Sequence, residues 1–493
     1  MKNFLKTIRT LSLVLVLGVV LFAMTACDGF GVDNSKKIIF YHTMGDSLQQ
    51  VLETAKAKFE AKFPGWVIEH TQVGGYDDVK SAVVADLQGQ TQPSLAYCYA
   101  DHVAQYLTTK KVVDMSKYIN STEQITYTSY EYEMDGEDYK LDEEGNKIVA
   151  STVEAQEVVG YTAAEIEDFV KGYYNEGFAT NYADYEKYGY SATSILTLPF
   201  VKSTELVYYN KTALVDCGIV DAAGKAKAPV TWDELWEDAA IIKAKYPDST
   251  PVGYDSEANW FITMCEQNGW GYTSATEPHY LFKGEKQAQW LDTLAGYYDK
   301  GYLTTQSAYG SYTSNLFTKG VETGVTFSIG SSGGANHQKP ADGTFEWGVA
   351  RLPGSLQSDG TIAYKAISQG PSLCMFFEDV ENAEEKALMT WEFVKILLEP
   401  DFLAAFSIAS GYNPPRQSTF DIEAYQDHLN GTSITAAAAR AAATMVDDFF
   451  TSPALVGSST ARTQVGNVLV YAMTGQKTAE KALADAYVNC GGK

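Results

Sequence analysis

The chain has 493 residues, of which 45% are hydrophobic and 20% are charged, and its formal net charge at pH 7 is −25. The length predicts two to three domains, and the hydrophobic fraction is that of a globular protein. The negative charge argues against nucleic acid as a partner, because phosphate backbones need basic surfaces, and against adhesion to anionic lipid through a polybasic patch.

The N-terminal segment has the layout of a secretory signal peptide. Three basic residues precede an uncharged, mostly apolar run from Leu11 to Phe22. This run has 12 residues, whereas a membrane-spanning helix needs about 20. We therefore predict a signal peptide over 1–26 and a short polar tether over 27–37, with a transmembrane anchor as the alternative.

Small residues lead into a cysteine at the expected cleavage point, in the string Met24-Thr25-Ala26-Cys27. This string resembles the lipobox of bacterial lipoproteins, with Met24 where that family usually has leucine. The resemblance implies that Cys27 is lipidated and becomes the first residue of the mature chain. Two acyl chains would hold the protein at a membrane surface, because one chain binds only reversibly.

The first part of the mature chain alternates between predicted strands and helices. Apolar runs predict strands at 38–41, 67–73 and 94–100, and helical spacing of apolar residues predicts helices between them, the second with Asp77 and Asp78 in its first turn. A strand, helix, strand, helix, strand order implies a parallel sheet covered by helices.

An acidic segment interrupts this pattern. Eight carboxylates crowd between Glu131 and Glu144 with only Lys140 among them. We predict a solvated surface insertion at about 121–160, with a turn at Asp142–Asn146 between two short strands. A calcium loop is the alternative, since closely spaced carboxylates suit a hard cation, although no D-x-D-x-D-G pattern is present.

The alternation resumes at Leu198. Glu205 to Tyr209 is predicted as a strand, and the capping box at Thr231–Glu234 starts a helix that runs to about Tyr246. Val325 to Ile329 is a strand that leads into the glycine- and serine-rich loop 330–334. Further helices are predicted at 163–174, 279–301, 383–398, 400–410, 434–449 and 461–487, and strand-rich segments at 345–352 and 364–377.

Three segments resemble the extracellular sugar-binding proteins of bacterial ABC importers. They are Ile39–Met44, Leu198–Lys211 together with Thr231–Leu235, and Ser410–Arg416. The string Pro-Phe…Ser-Thr…Tyr-Tyr-Asn-Lys within the second segment is the most specific, because its order and spacing recur across that family. With the lipobox, the resemblance spans nearly the whole chain outside the acidic insertion.

The resemblance implies the α/β, two-lobed, periplasmic-binding-protein-like fold of type II. Each lobe would contain a mixed, mostly parallel sheet flanked by helices, with a multi-strand hinge and a ligand cleft between the lobes. Because the chain crosses the hinge more than once, each lobe is discontinuous. The expected boundaries are 38–202 with 322–373 for the first lobe, and 203–321 with 374–493 for the second.

Several side chains are predicted to contact the ligand because of their places along the chain. Ligands of α/β sheets bind at the carboxyl ends of strands, where Tyr41, His42, Asp101 and His102 fall; loop or helix-cap roles are the alternative. Hydroxyls before the strand at Glu205 can reach a cleft ligand or serve the hinge. The residues with these hydroxyls are Ser203 and Thr204. Tyr76 is a further predicted ligand contact.

The remaining candidates combine donors and aromatic faces. The loop after Ile329 offers Ser331, Ser332 and Gly333, whose N–H and hydroxyl groups can hold polar oxygens or simply form a tight turn. Trp260 can stack on a sugar ring, and Arg416 is a forked donor that could instead pair with a surface carboxylate. Tyr412 completes the set of predicted ligand contacts.

No catalytic group emerges from the sequence. There is no G-x-S-x-G, no placeable Ser-His-Asp set and no metal motif beside the histidines. The six cysteines are scattered and form no C-x-x-C motif, so the sequence indicates neither a zinc site nor a disulfide framework. A single disulfide between two of them is the alternative. We expect no metal, no cofactor and no enzymatic activity. A secreted glycosidase is the alternative from another class, since two carboxylates of so acidic a chain can meet in a cleft.

The sequence and the resemblance together predict a lipid-anchored, extracellular substrate-binding component of an ABC importer. It would capture a mono- or oligosaccharide and deliver it to permease subunits, as a monomer on the outer face of a Gram-positive-type membrane. Glycerol 3-phosphate or a related phosphate ester is the alternative ligand, because the serine loop and Arg416 suit a phosphate.

Overall fold

Two five-stranded sheets organise the chain. The computed structural model describes residues 34–135, 138–140 and 148–492, so the predicted signal peptide and the predicted lipidation of Cys27 lie outside the described residues. The strands are β1 Lys37–His42, β2 Val67–Gln72, β3 Leu95–Cys98, β4 Gln124–Tyr132, β5 Met134–Asp135, β6 Asp138–Tyr139, β7 Val149–Val158, β8 Leu198–Pro199, β9 Glu205–Asn210, β10 Val252–Tyr254, β11 Leu303–Thr305, β12 Phe327–Ser331, β13 Trp347–Arg351, β14 Ser355–Leu356, β15 Ile362–Ala363, β16 Ala366–Ile367, β17 Ser372–Met375 and β18 Phe449–Phe450.

Helices cover both sheets, and short 3-10 segments join several of the elements. The α-helices are α1 Asp46–Lys62, α2 Tyr76–Gly89, α3 Ala100–Tyr106, α4 Ser116–Ile119, α5 Ala163–Glu167, α6 Lys171–Tyr174, α7 Lys211–Asp216, α8 Trp232–Lys245, α9 Glu257–Asn268, α10 Glu285–Asp299, α11 Gln306–Tyr309, α12 Ser314–Phe317, α13 Ala383–Leu397, α14 Pro400–Ser410, α15 Glu423–Asn430, α16 Ile434–Ala443, α17 Ser458–Met473 and α18 Ala479–Asn489.

The first sheet has the strand order β2-β1-β3-β17-β8. β1 runs parallel to β2 and β3, with Phe40 opposite Leu95, and β17 is antiparallel to both β3 and β8. Alternate side chains face opposite sides of the sheet. One side packs on α1, α13 and α14, and the other packs on α2 and α3. We call this sheet and its helices lobe 1.

The second sheet repeats the same plan with the order β11-β10-β12-β9-β13. β10 is parallel to β11 and β12, while β9 is antiparallel to its neighbours β12 and β13. One continuous apolar core joins this sheet to α8, α9, α10, α16, α17 and α18. We call this sheet and its helices lobe 2.

The strand pairing differs from the expected lobe boundaries. Residues 322–373 were expected in the first lobe, yet β12 and β13 pair with β9 of lobe 2. Residues from 374 onward were expected in the second lobe, yet α13 and α14 pack on α1 of lobe 1. The reason is that β17 enters the first sheet between β3 and β8, which takes the two helices that follow it into lobe 1.

Three segments cross between the lobes and hydrogen-bond to one another. Ser203 and Gln369 exchange two backbone hydrogen bonds of 2.8 Å, and Lys202 N–H donates to the Asn413 carbonyl at 2.8 Å. The crossings are therefore the β8–β9 connection, the β13–β17 connection and the chain after α14. Together they form the multi-strand hinge that the family resemblance implied.

The acidic insertion is a long exposed hairpin. β4 pairs antiparallel with β7 from Gln124 opposite Val158 to Tyr132 opposite Val149, a longer ladder than the short strands we expected. Glu157 at its base accepts from Lys62 at 2.7 Å and from Lys395 at 3.1 Å, which ties the hairpin to lobe 1. The predicted turn and much of the alternative calcium loop lie outside the described residues.

Some predicted helices are shorter than the periodicity suggested. The predicted helix 461–487 divides into α17 and α18 around Gly475, whose φ of +70° stops a right-handed helix. The predicted helix 434–449 ends at Ala443, and Phe449 and Phe450 instead form a short strand that pairs with Ala366 and Ile367. The predicted helix 279–301 starts only at Glu285.

Two further facts bear on anchoring and redox chemistry. Over the described part of the chain, no helix combines the length and the apolarity that crossing a membrane requires. The five cysteines in this part, Cys98, Cys217, Cys265, Cys374 and Cys490, are free thiols.

Candidate binding cleft

The cleft between the lobes contains two cavities on either side of the hinge residue Gln369. The larger cavity is about 680 Å³ and lies mainly against lobe 2. The smaller one, about 80 Å³, lies between α3 of lobe 1 and α17 of lobe 2. The larger cavity is lined by Glu205, Asp255, Ser256, Asn259, Gln306, Tyr312, Ser314, Asn315, Ser331, Gly333, Gly334, His337, Gln338, Gln369 and Tyr412.

Glu205 is the most deeply buried acid of the larger cavity. It begins β9 directly after the first hinge crossing and is 2% exposed. Its carboxylate accepts hydrogen bonds from the Tyr254 hydroxyl and, at 3.0 Å, from Asn259 Nδ2. Burial raises the pKa of Glu205 to about 7, against the lowering effect of these two donors and of Arg462. The carboxyl group therefore titrates near neutral pH.

Asn259 connects Glu205 to the hinge. The first turn of α9 carries it into the cleft, where Ser256 caps the helix. While its Nδ2 donates to Glu205, its Oδ1 accepts from Gln369 Nε2 at 3.1 Å and from the Arg462 guanidinium. One amide thus holds a carboxylate, a hinge side chain and an arginine in a single buried network.

A second carboxylate, Asp255, lies on the same wall after β10. Its Oδ1 accepts from the backbone N–H of Thr313 at 2.6 Å and from the Thr313 hydroxyl at 2.8 Å. Burial raises the pKa of Asp255 despite these bonds. Both of these hydrogen bonds go to Oδ1, while Oδ2 lies close to Gly330, where an added Cβ would come within 2.8 Å of it. Asp255 is one of the residues that line the larger cavity.

Aromatic side chains form the wall on the side of lobe 1. The Tyr76 and Tyr99 rings stack with centroids 4.4 Å apart, and the Tyr76 and Tyr412 hydroxyls are hydrogen-bonded. Gly333 of lobe 2 lies against the Tyr412 ring, where a Cβ would come within 3.2 Å of a ring carbon. A glycine at 333 therefore lets the two sides of the cleft approach closely.

One hydrogen bond joins the two helices that face each other across the cleft. The Ser459 hydroxyl at the start of α17 donates to Asp101 Oδ2 in the first turn of α3, at 3.2 Å. The lobes are therefore in contact at this point, and Asp101 lines the smaller cavity.

The structure brings part of the predicted set to the cleft. Asp101, Ser331, Gly333 and Tyr412 line its cavities, and Tyr76 supports Tyr412 from behind.

Three predicted hydroxyl residues serve the hinge. Ser203 pairs through its backbone with Gln369, while the Thr204 hydroxyl donates to the Ile367 carbonyl at 3.1 Å. Ser332 Oγ accepts from Thr204 N–H at 3.3 Å. All three are buried and join hinge segments, which agrees with the alternative role; their contact with a ligand stays a prediction.

Three predicted residues of lobe 1 are satisfied within that lobe. The Tyr41 hydroxyl donates to Asp86 Oδ2 at 3.1 Å, and burial raises its pKa to about 12. His42 is buried against His70 at 2.9 Å, and burial lowers its pKa to about 4. His102 Nδ1 accepts from Tyr99 N–H at 3.4 Å in the first turn of α3. None of the three lines the cleft cavities.

Two further predictions need correction. Trp260 is 1% exposed and stacks on Tyr254 in the core of lobe 2, with centroids 4.5 Å apart, so it does not face the cleft. Arg416 is buried outside the cleft, where its Nε donates to Asp168 Oδ2 at 2.6 Å and its guanidinium lies over the Phe169 ring. Its remaining nitrogens donate to backbone carbonyls, which leaves it a structural role.

Sequence reasoning missed the polar network of lobe 2. Glu205 had a readable signal, because it is the only charged residue in the strand Glu205–Asn210 and directly follows the hinge. Asn259 and Arg462 had none, since both lie in helices where polar residues are ordinary. Metal binding gains no support here, since no three His, Cys, Asp or Glu side chains of the described ranges converge.

Comparisons with known proteins define the family. The sequence model for bacterial extracellular solute-binding proteins matches residues 54–432. The chain belongs to this family. It is 22% identical over 401 residues to the sn-glycerol-3-phosphate-binding periplasmic protein UgpB of Yersinia pestis, covering 79% of this chain and 76% of the relative.

Solved structures of the same fold agree with this assignment. UgpB from Mycobacterium tuberculosis in complex with glycerophosphocholine matches with a TM-score of 0.65 at 16% identity, covering 94% of this chain and 98% of that one. The sugar-binding protein MalE from Xanthomonas citri matches with a TM-score of 0.65 at 16% identity, covering 91% and 95%.

Family membership confirms several expectations. The two-lobed, periplasmic-binding-protein-like fold is confirmed. This solute-binding protein is an extracellular component that works with the permease subunits of an ABC importer, and it is not an enzyme.

Proposed function

We propose that this solute-binding protein captures a neutral carbohydrate in the cleft. The observation that carries the proposal is the lining of the larger cavity. It combines the carboxylates Glu205 and Asp255 with the amides of Asn259 and Gln369 and the rings of Tyr312 and Tyr412. Carboxylates accept hydrogen bonds from sugar hydroxyls, and aromatic rings pack on the CH faces of sugars.

The charge of this lining disfavours an anionic ligand. Neither Lys nor Arg occurs among the described residues that line the larger cavity. A phosphate placed there would face Glu205 and Asp255 with no Lys or Arg of the described cavity lining to offset the repulsion. A neutral polyol meets no such cost.

A phosphate ester such as glycerol 3-phosphate is the second candidate, supported by Arg462. This residue lines the smaller cavity, and the curated relatives are named as glycerol-3-phosphate-binding proteins. However, the Arg462 guanidinium already donates to Asn259 and lies near Glu205. Binding a phosphate would require Arg462 to leave this network.

A thermal-shift screen separates the two candidates. The full mature chain is heated with neutral mono- and oligosaccharides and, separately, with glycerol 3-phosphate and glycerophosphocholine. A ligand at about 100 times its Kd stabilises the folded state by about 2.7 kcal/mol. We expect stabilisation by a neutral sugar and none by the phosphate esters. Stabilisation by a phosphate ester that disappears in Arg462→Gln would reject the carbohydrate proposal.

Closure of the lobes would couple capture to delivery. The strand pairing supports lobes built from about 37–202 with 372–411 and from 203–351 with 434–492. A ligand that contacts both lobes favours the closed arrangement, in which Ser459 reaches Asp101. Solution scattering should show a smaller radius of gyration with the sugar than without it.

We further propose that the protein acts as a monomer, tethered through lipidated Cys27 to the outer face of a Gram-positive-type membrane. Support comes from the string Met24–Cys27 behind an apolar signal segment. The test is cell fractionation of Cys27→Ser against the wild type. Loss of the protein from the membrane fraction is expected, and retention of the variant at the wild-type level would contradict the anchor.

A further inference from the structure

Lobe 2 carries a groove on a face that is separate from the cleft. The groove runs between α8, α9 and α10 and is closed at one end by Ser355 and Leu356 of β14. Its volume is about 350 Å³, within the roughly 300–1,000 Å³ range of small-molecule sites. None of its lining residues lines either cleft cavity.

Tryptophan is concentrated in this groove. Five of the eight tryptophans of the chain line it, and Tyr297 adds a sixth ring. Trp232, Trp236 and Trp260 are buried, whereas Trp270 and Trp290 are partly exposed. Tyr297 stacks on Trp236 with centroids 4.1 Å apart. The groove therefore has a rigid aromatic floor and two indoles that solvent can reach.

Polar groups surround these rings, and some of them lack a partner among the described residues. The indole N–H of Trp260 is buried and has no hydrogen-bond partner among the residues that the structure describes. At the rim, Asp233 and Lys286 are exposed and form no ion pair with any described residue. Exposed Gln289 and Thr293 add an amide and a hydroxyl group, although Gln289 already donates to Glu285 and Thr293 to the Gln289 carbonyl. The groove thus offers both acceptors and donors around apolar faces.

We propose that this groove is a second carbohydrate-binding site, which holds sugar rings of an oligosaccharide on the exposed faces of Trp270 and Trp290. Flat apolar faces pack on the CH faces of a pyranose, while the carboxylate of Asp233 and the ammonium of Lys286 serve its hydroxyls. A purely apolar partner that covered the rim would remove water from the charges of Asp233 and Lys286 without replacing it, which is costly. This site does not depend on which ligand the cleft takes.

Binding in the groove is tested by titrating the full mature chain with maltotriose and with mannotriose while recording tryptophan fluorescence and heat. We expect a saturable change in fluorescence from a site distinct from the cleft. Trp270→Ala should weaken this site by about tenfold or more, since a stacking surface is lost. The double variant Asp233→Ala/Lys286→Ala should weaken it as well. Trp347→Phe, a partly exposed tryptophan of lobe 2 outside the groove, is the matched control and should leave it unchanged.

The outcomes separate this site from the cleft. If Glu205→Ala abolishes one binding event and Trp270→Ala abolishes another, both sites stand. If only the event sensitive to Trp270 occurs, the groove stands and the carbohydrate proposal for the cleft fails. If neither trisaccharide gives a signal sensitive to Trp270, or if the groove mediates self-association of the chain instead, the groove proposal is rejected.

Discussion

The two lobes share one sheet plan but use their polar side chains differently. In each sheet three parallel strands are followed by one antiparallel strand and a further edge strand, in the orders β2-β1-β3-β17-β8 and β11-β10-β12-β9-β13. In lobe 1 the polar groups after the strands pair within the lobe, as His42 does with His70. In lobe 2, Glu205 and Asp255 line the larger cavity.

This difference suggests that polar side chains of lobe 1 contribute mainly to folding stability, whereas those of the cavity in lobe 2 contribute to ligand recognition. A polar group that is paired inside its own lobe contributes to folding, and its loss is costly because its partner stays buried. Glu205 and Asp255 are also hydrogen-bonded within their own lobe, but they line a cavity, where a carboxylate can accept further hydrogen bonds from a ligand. We therefore expect substitutions in lobe 1 and the hinge to act mainly on stability, and substitutions in the cavity of lobe 2 to act on binding and on the pH dependence of stability.

The largest expected effect is at Lys202 in the hinge. Its Nζ lies 2.9 Å from Glu176 Oε1 and donates to Ser372 Oγ at 2.8 Å, with both charged side chains buried. Lys202→Met leaves the Glu176 carboxylate buried without its cation, which should cost about 3–5 kcal/mol of unfolding free energy. Chemical denaturation measures this loss. The double variant Lys202→Met/Glu176→Gln is the control and should recover much of it; an unchanged midpoint in Lys202→Met would contradict the expected role.

The next largest expected effect is a pH-dependent change in the free energy of unfolding, and it arises from Glu205 in lobe 2. Because the folded-state pKa of Glu205 is about 7 rather than 4.5, its contribution to stability is present at acid pH and is lost as the pH rises through 7. Glu205→Gln removes the carboxyl group that must ionise. Relative to the wild type, the variant should gain about 3 kcal/mol of stability between pH 4.5 and pH 8.5.

Denaturation of both proteins across this pH range checks the prediction. Taking the difference between variant and wild type cancels the contributions of other buried acids, such as Asp238 and Glu392, whose pKa values burial also raises to about 7. A difference that stays constant with pH would show that Glu205 ionises as an exposed carboxyl does. Sugar affinity should fall in Glu205→Gln above pH 7, because the carboxylate acceptor is gone.

The smallest expected effect is at the contact between the lobes. Ser459→Ala removes the hydrogen bond to Asp101, worth about 1 kcal/mol, and should weaken ligand binding about fivefold with little change in the stability of the free protein. Thr463→Ala is the matched control, since its hydroxyl bonds to the Ser459 carbonyl within α17. Equal affinities of the two variants in calorimetry would mean that the contact does not support closure.

Local patterns predicted some of the long elements well. The helices at 383–398 and 400–410 agree with α13 and α14 within one residue, because their apolar spacing and Pro400 act within a few turns. The capping residue Thr231 was also correct, since its side chain accepts from Glu234 N–H at 3.2 Å. By contrast, β10 and β11 have three residues each, too few to show periodicity.

The lobe boundaries and much of the site depend on long-range pairing. The position of β17 beside β3 joins residues almost 280 positions apart, and nothing local in 372–375 indicates this partner. Trp260 and Arg416 have the right chemistry for a ligand contact, but tertiary packing buries them elsewhere. The sequence marks Glu205 as the one charged residue of its strand, but its hydrogen bonds with Tyr254 and Asn259 depend on the tertiary structure.

The most direct test of the claim that lobe 2 recognises a neutral carbohydrate is a crystal structure of the mature chain with the sugar that stabilises it most. The account predicts a sugar in the larger cavity, with its hydroxyls within hydrogen-bond distance of Glu205 and Asp255. A ligand held mainly by Tyr41 and His42, or a phosphate group on Arg462, would contradict it.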